Sequence, residues 1–170
     1  MTSRDNSKDR PAIATDMDLV EATENDTTTL AEYWYALATE MEQYSDLNEV
    51  AHDGPEPAES GFRSLFDDDE TTPYLLVVDG ETVGFLLLRK GDHPSRVHDS
   101  YVRLVDLYVA EGHRNEGYGG EAIEQVKAIA SERGADFLKV SCEWDNEGAR
   151  RFYEDEGFTE KQVTYVQQVE

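Results

Sequence analysis

A mixed sheet flanked by helices, an α/β chain of the α+β kind, is predicted by three observations. Short runs rich in β-branched and aromatic residues recur at 74–78, 82–88, 101–109 and 137–142, as strands do. Two longer stretches, one after Asp26 and one over 119–133, repeat apolar residues every three or four positions, the spacing of one helix face. The order strand, glycine-rich turn, helix, strand over 101–142 is that of a parallel crossover.

Residues 1–16 are polar and aperiodic, an expected disordered tail ahead of a domain over 17–170. A short strand at 19–22 precedes a helix capped by Asp26, with Leu30, Tyr33, Trp34, Leu37 and Met41 on its core side. Residues 44–60 read as a loop, and a shorter helix runs through Phe62, Leu65 and Phe66. The acidic run Asp67, Asp68, Asp69, Glu70 lacks the alternating spacing of a metal loop and reads as a solvated connection. Asp79-Gly80 between the runs 74–78 and 82–88 marks a two-residue hairpin. Residues 90–100 are a loop before the strand 101–109. The helix 119–133 turns Ala122, Ile123, Val126, Ile129 and Ala130 inward and ends before Gly134. The run 137–142 is a buried strand, with Cys142 a small core residue. A helix capped by Asn146 ends at Gly157, and 159–169 has room for one long strand.

The net charge is −23 and the isoelectric point about 4.3 over 170 residues. Acidic residues are spread through every segment, and lysine is confined to Lys8, Lys90, Lys127, Lys139 and Lys161. That pattern points to a very salty cytoplasm, where carboxylates hold water and salt screens their repulsion. A cationic partner is the competing account. Nucleic acid is disfavoured, because every phosphate contact would oppose the field. No signal peptide and no membrane-spanning stretch is legible, so a cytoplasmic location is expected. A single cysteine forms no intrachain disulfide.

The most informative segment is Leu107, Tyr108, Val109 and then Arg114, Asn115, Glu116, Gly117, Tyr118, Gly119, Gly120. An apolar strand enters a glycine-rich turn that opens a helix, directing backbone N–H groups and a positive helix end at one point, as a pyrophosphate requires. A second block reads N-x-x-A-x-x-F-Y-x-x-x-G-F from Asn146 to Phe158. On a helix it places Asn146, Ala149, Arg150 and Tyr153 on one stripe.

Together the two blocks resemble the GNAT superfamily of acetyl-CoA-dependent N-acetyltransferases. The resemblance is specific over 106–158 and consistent in element order back to about residue 18. It implies a mixed central sheet of six or seven strands with about four helices, and acetyl-CoA as cosubstrate without a metal. It also implies that the backbone from Arg114 to Gly119 holds the pyrophosphate, with Gly120 opening the helix. The edge of Leu107 to Val109 would pair with the pantetheine arm, Asn146 would reach the pantetheine, and Tyr153 would reach the thiolate leaving group. Gly119→Glu is then expected to block the cofactor and spare the fold.

Direct attack of an amine on the thioester sets three tasks: polarising the oxygen, neutralising the thiolate, and removing a proton from an ammonium of pKa near 10. A backbone N–H near Val109 suits the first and Tyr153 the second. Asp106 and Glu143 are both candidates for the base, while His113 lies nearer the phosphates and is assigned no proton transfer. Trp144 beside Glu143 resembles polyamine and diamine acetyltransferases, although Val105 stands where those carry a glutamate. The acceptor is expected against residues 44–61, where Tyr44, Asp46, Glu49, His52 and Asp53 suit a cation. The leading reading is therefore an N-acetyltransferase for a small-molecule primary amine, with a homodimer as an open option. The alternatives are a protein N-terminal or lysine acetyltransferase and a non-catalytic acyl-CoA-binding module.

Overall fold

The computed structural model describes residues 16–170, so the expected tail lies, but for Asp16, outside the described residues. Strand β1 (Met17–Glu21) is followed by α1 (Thr27–Met41) and α2 (Glu56–Leu65), then by β2 (Thr71–Val78), β3 (Glu81–Asp92) and β4 (Ser100–Val109). Helix α3 (Tyr118–Glu132) crosses to β5 (Phe137–Val140), and α4 (Glu147–Asp155) comes last. The sheet order is β1-β2-β3-β4-β5, antiparallel throughout except that β5 runs parallel to β4.

Alternation along the strands builds two apolar layers. Tyr74 and Leu76 of β2 join Leu86, Leu88, Val102 and Leu104 beneath Ala122, Ile123, Val126 and Ala130 of α3. Leu75, Phe85 and Tyr108 project to the other side, onto Leu30 and Ala31 of α1 and Phe62 of α2. The hairpin between β2 and β3 has positive φ at Asp79 (51°) and Gly80 (79°), the backbone expected of Asp-Gly.

Three expectations are corrected. The described sheet has five strands rather than six or seven, and 159–169 forms no strand: it runs exposed from the end of α4 with no ladder to join. Strand propensity without a partner row of N–H and C=O groups does not make a strand. Helix α2 begins at Glu56, inside the expected loop. Pro55 stands at the N-cap, Pro57 lies in the first turn, and Glu56 and Glu59 complement the helix dipole, signals that carry no apolar periodicity. Cys142 is exposed rather than core, because β5 stops at Val140.

One irregularity positions everything that follows. Leu87 faces Asp106 and Leu88 faces Leu104, so Val105 has no partner and bulges. A bulge bends its strand and resets its parity. Leu107 and Val109 consequently stay on the α3 side with Val102 and Leu104. Pairing with β5 covers only Tyr101–Leu104 against Phe137–Val140, so β4 and β5 part where the bulge begins.

Candidate active site

Beyond Leu104 the β5-facing edge of β4 has no partner strand. The Ala110 N–H donates to the Val83 carbonyl on the β3 side at 2.8 Å. Strand alternation therefore turns the N–H groups of Leu107 and Val109 to the open side and the backbone of Tyr108 toward β3. The side chain of Tyr108 lies in the α1/α2 layer, 5.7 Å between ring centroids from Tyr33. Of the three strand residues expected to meet pantetheine, Leu107 thus turns its N–H and carbonyl to the open side, Val109 leaves only its N–H free because its carbonyl accepts from Arg114 Nε, and Tyr108 turns its backbone toward β3.

The turn follows at once. Asn115 (φ 64°) and Gly117 (φ 86°) are left-handed, and Gly117 immediately precedes α3. The first N–H with a partner in that helix is Glu121, donating to the Gly117 carbonyl at 3.1 Å. The N–H groups of Tyr118, Gly119 and Gly120 come before it, at a positive helix end. Asn115, Glu116 and Gly117 are exposed around them. This arrangement fits a pyrophosphate. Arg114 itself folds away: Nε donates to the Val109 carbonyl at 2.8 Å and the guanidinium meets Glu40 at 2.6 Å while lying over the Tyr108 ring. Glu40, from α1, had no signal in the sequence that separated it from the other acidic residues.

Gly119 and Gly120 also lie against α4, a contact the sequence did not signal. A Cβ on Gly119 would stand 3.3 Å from the Phe152 ring, and one on Gly120 would stand 2.9 Å from a Glu156 carboxylate oxygen. Both bring α3 against α4, so Gly119→Glu would disturb that packing and does not isolate cofactor binding.

Helix α4 is held at both ends. The Asn146 Oδ1 accepts the Ala149 N–H at 3.0 Å, which leaves the side-chain NH2 as a free donor group. At the other end Gly157 (φ 98°) donates to Glu154 and Phe158 donates to the Tyr153 carbonyl at 2.9 Å, with the Tyr153 and Phe158 rings in edge contact. Tyr153 is thereby fixed between Phe152 and Phe158. Its hydroxyl makes no hydrogen bond among the described residues. Burial, with the charges of Cys142 and Asp106 adding to it, pushes its pKa up to about 12, so the proton is in place at any neutral pH.

Asp106 is half-buried, and burial raises its carboxyl above the ordinary range while Arg103 pulls the other way. Glu143, beyond β5, accepts from the Asn48 side chain at 3.0 Å, and Asn48 also donates to the Met41 carbonyl at 3.0 Å. This ties the α1–α2 connection to the mouth of the β4/β5 opening. Asn48 is the second residue that sequence reading missed, since its partner lies 95 positions away. His113 stands 3.7 Å from Glu81 at the far end of the turn, away from these carboxylates. Arg150 stacks on the exposed Trp144 at 3.9 Å and pairs with Glu160. No cluster of metal-ligating side chains is present, and no helix is long and apolar enough to cross a membrane, among the described residues.

Residues 31–158 match the acetyltransferase (GNAT) family, well over half of the chain. An uncharacterized N-acetyltransferase, YhfO of Bacillus subtilis, is 29% identical over 125 residues, covering 74% of this chain and 83% of that protein. A tetramutant of the Bacillus halodurans protein BH1408 superposes with a TM-score of 0.79 at 20% identity, covering 89% of this chain and 99% of that one. A possible acetyltransferase from Clostridium difficile gives 0.74 at 19% identity, covering 90% and 97%. With its strand-to-helix turn and parted strands, this chain belongs to the GNAT family of acetyltransferases, acyltransferases whose cosubstrate is acetyl-CoA.

Proposed function

We propose that the chain transfers an acetyl group from acetyl-CoA to a primary amine of a small molecule by direct attack. The observation that carries this reading is the coincidence, at the parting of β4 and β5, of an unpaired strand edge, an unpartnered tyrosine hydroxyl and a half-buried carboxylate. Acetyl-CoA supplies the thioester. In this reading the Val109 N–H donates a hydrogen bond to the thioester oxygen as that oxygen gains charge. The amine nitrogen bonds to the acetyl carbon and the C–S bond breaks. The ammonium proton passes to Asp106 or Glu143, and the departing sulfur takes a hydrogen bond from Tyr153. The acidic lining of the α1–α2 connection, with Glu42, Asp46 and Glu49 around one depression, favours a cationic acceptor. CoA release measured with a panel of small amines and with unstructured peptides, in molar KCl, tests the reading. Turnover with small amines supports it; turnover confined to peptides, or none with bound acetyl-CoA, refutes it.

The cofactor turn is tested by Asn115→Asp. Asparagine and aspartate both tolerate a left-handed backbone, and the side chain is exposed, so the fold should be unchanged. The added anion should weaken acetyl-CoA binding about tenfold or more, roughly 1.4 kcal/mol. Calorimetry showing equal affinity would move the pyrophosphate elsewhere.

The base is assigned by comparing Asp106→Asn with Glu143→Gln. A carboxyl whose folded pKa is raised stabilises the native state below its unfolded pKa, and that contribution is lost as pH rises through the folded value. Above its unfolded pKa the Asp106 carboxyl therefore costs stability, and Asp106→Asn should raise the melting temperature. If Asp106 is the base, the same change removes the acidic limb of kcat/KM against pH and lowers the rate. A slower but more stable enzyme is the expected result, and an intact limb transfers the role to Glu143.

A further inference from the structure

The sheet face that carries α1 and α2 ends in a row of cations that acetyl transfer leaves unused. Val102 and Leu104 of β4, with Leu138 and Val140 of β5, pack into the α3 layer, so Tyr101, Arg103, Phe137 and Lys139 project to the opposite side. On β3 Phe85 lies in the α1/α2 layer, which puts Arg89 and Gly91 on that side as well. Register then aligns the cations: Arg89 faces Arg103, and Arg103 faces Lys139. Three positive charges stand abreast on neighbouring strands. Helices α1 and α2 cover Leu75, Phe85 and Tyr108 on this face and leave Arg89 and Arg103 exposed and Lys139 partly so.

Like charges directly opposite one another destabilise a sheet, and a chain of −23 has carboxylates enough to neutralise them. It does not use them here. Arg103 and Lys139 meet no carboxylate within 4.0 Å among the described residues, and Arg89 meets only Glu70, at that limit. Asp106 feels the charge of Arg103 without forming an ion pair with it. Asp136 turns its carboxylate to the N–H groups of Asp99 and Ser100 instead. A row left without counter-charge suits a ligand that brings several negative charges of its own.

Two residues along each strand, roughly 7 Å away, lies a row of rings. The Tyr101 ring fills the space that a Cβ on Gly91 would take. Its centroid is 5.3 Å from that of Phe137 at an interplanar angle of 26° and 5.1 Å from that of His93 at 30°. The Lys139 ammonium stands 5.3 Å over the same ring and so links the two rows. Cations beside rings suit phosphates joined through a ribose to a base.

We propose that this face, at the start of β4, binds a nucleoside triphosphate, with its phosphates on Arg89, Arg103 and Lys139 and its base against Tyr101 and Phe137. The site lies at the end of β4 away from the turn at Arg114 to Gly119 and takes a ligand other than acetyl-CoA. The overall charge of the chain opposes any anion at long range, so contact with these three cations has to supply the affinity.

ATP titrated into the full chain, in the lowest KCl at which circular dichroism is native, should bind and shift the amide resonances of 89–93, 101–103 and 137–139 but not those of 114–120. Arg103→Gln and Lys139→Gln should each weaken ATP about tenfold, and Arg103→Lys should keep most of the affinity. These side chains are exposed or partly exposed, so the fold should be unchanged. Asn115→Asp, at the cofactor turn, should leave ATP affinity as it is. Inorganic triphosphate should bind about tenfold more weakly than ATP, since it has no base to stack. Absence of binding, shifts centred on 114–120, affinity that falls in Asn115→Asp and holds in both glutamine variants, or equal affinity for inorganic triphosphate each overturns the proposal. Tighter binding of a single-stranded oligoribonucleotide than of ATP overturns it too, by making the face a nucleic-acid surface.

Discussion

Tyr153→Phe should lower kcat about tenfold or more while leaving the affinity for acetyl-CoA unchanged, because the hydroxyl acts on charge that exists only as the C–S bond breaks. The ring is gripped by Phe152 and Phe158 on either side, and phenylalanine keeps both contacts. The hydroxyl it removes has no hydrogen bond among the described residues, so no buried partner is stranded and thermal stability should not fall. With a pKa pushed up to about 12, Tyr153 lies well above an ordinary thiol near 8.5. Complete proton transfer to the thiolate is then uphill by several pK units. In the proposed reaction the tyrosine therefore serves as a hydrogen-bond donor to the developing negative sulfur, and the thiolate takes its proton from solvent after release. Two readouts follow: the wild-type rate should show no alkaline limb from this group below about pH 10, and thioesters with more acidic thiols should depend less on the hydroxyl. A kcat that holds in the phenylalanine variant would make the residue purely structural.

The parts of the site legible in the sequence are those set by local backbone rules. A left-handed residue before a helix favours glycine, which is why Gly117 marked the turn, whereas the left-handed Asn115 became visible only in the structure. Asn146 and Gly157 bounded α4 through the preferences of helix ends. Asp79-Gly80 fixed a hairpin for the same reason. What escaped were contacts between distant segments. Asn48 reaching Glu143, and Glu40 reaching Arg114, are pairings of common polar residues across 95 and 74 positions, and no periodicity reports them. The bulge at Val105 carries neither glycine nor proline, yet it decides which residues of β4 share a face. The glycines of the turn also divide by role only in three dimensions: Gly117 answers to its φ, Gly119 and Gly120 to the approach of α4. The unformed strand over 159–169 was misread because strand propensity records what a segment suits, whereas a strand exists only beside another.

Folding should depend strongly on salt, with the melting temperature rising on the order of 10 °C between dilute buffer and molar KCl. The chain holds 38 aspartates and glutamates against 15 lysines and arginines. Only six ion pairs form among the described residues, at 2.6 to 4.0 Å, and one of them uses a histidine. Most described carboxylates consequently have no cationic partner within 4.0 Å, and their charges sum to a repulsive field. Their repulsion is screened beyond about 10 Å at 0.1 M salt and beyond about 3 Å at 1 M. The unfolded chain spreads the same charges further apart and gains less from screening, so salt favours the compact state. For a chain of this size each kcal/mol moves the midpoint by about 2–4 °C, and a few kcal/mol of relieved repulsion is enough. Glu132→Lys and Asp69→Lys, at exposed positions outside the ion pairs above, should reduce the rise. Glu124→Lys is the poorer choice, because Glu124 already meets Lys127 at 3.0 Å. A steep salt dependence would support the expectation, read from the spread of acidic residues, that the protein works in concentrated salt. A midpoint indifferent to KCl would instead assign the acidity to binding a cationic partner, and the depression lined by Glu42, Asp46 and Glu49 would become the place to look for it.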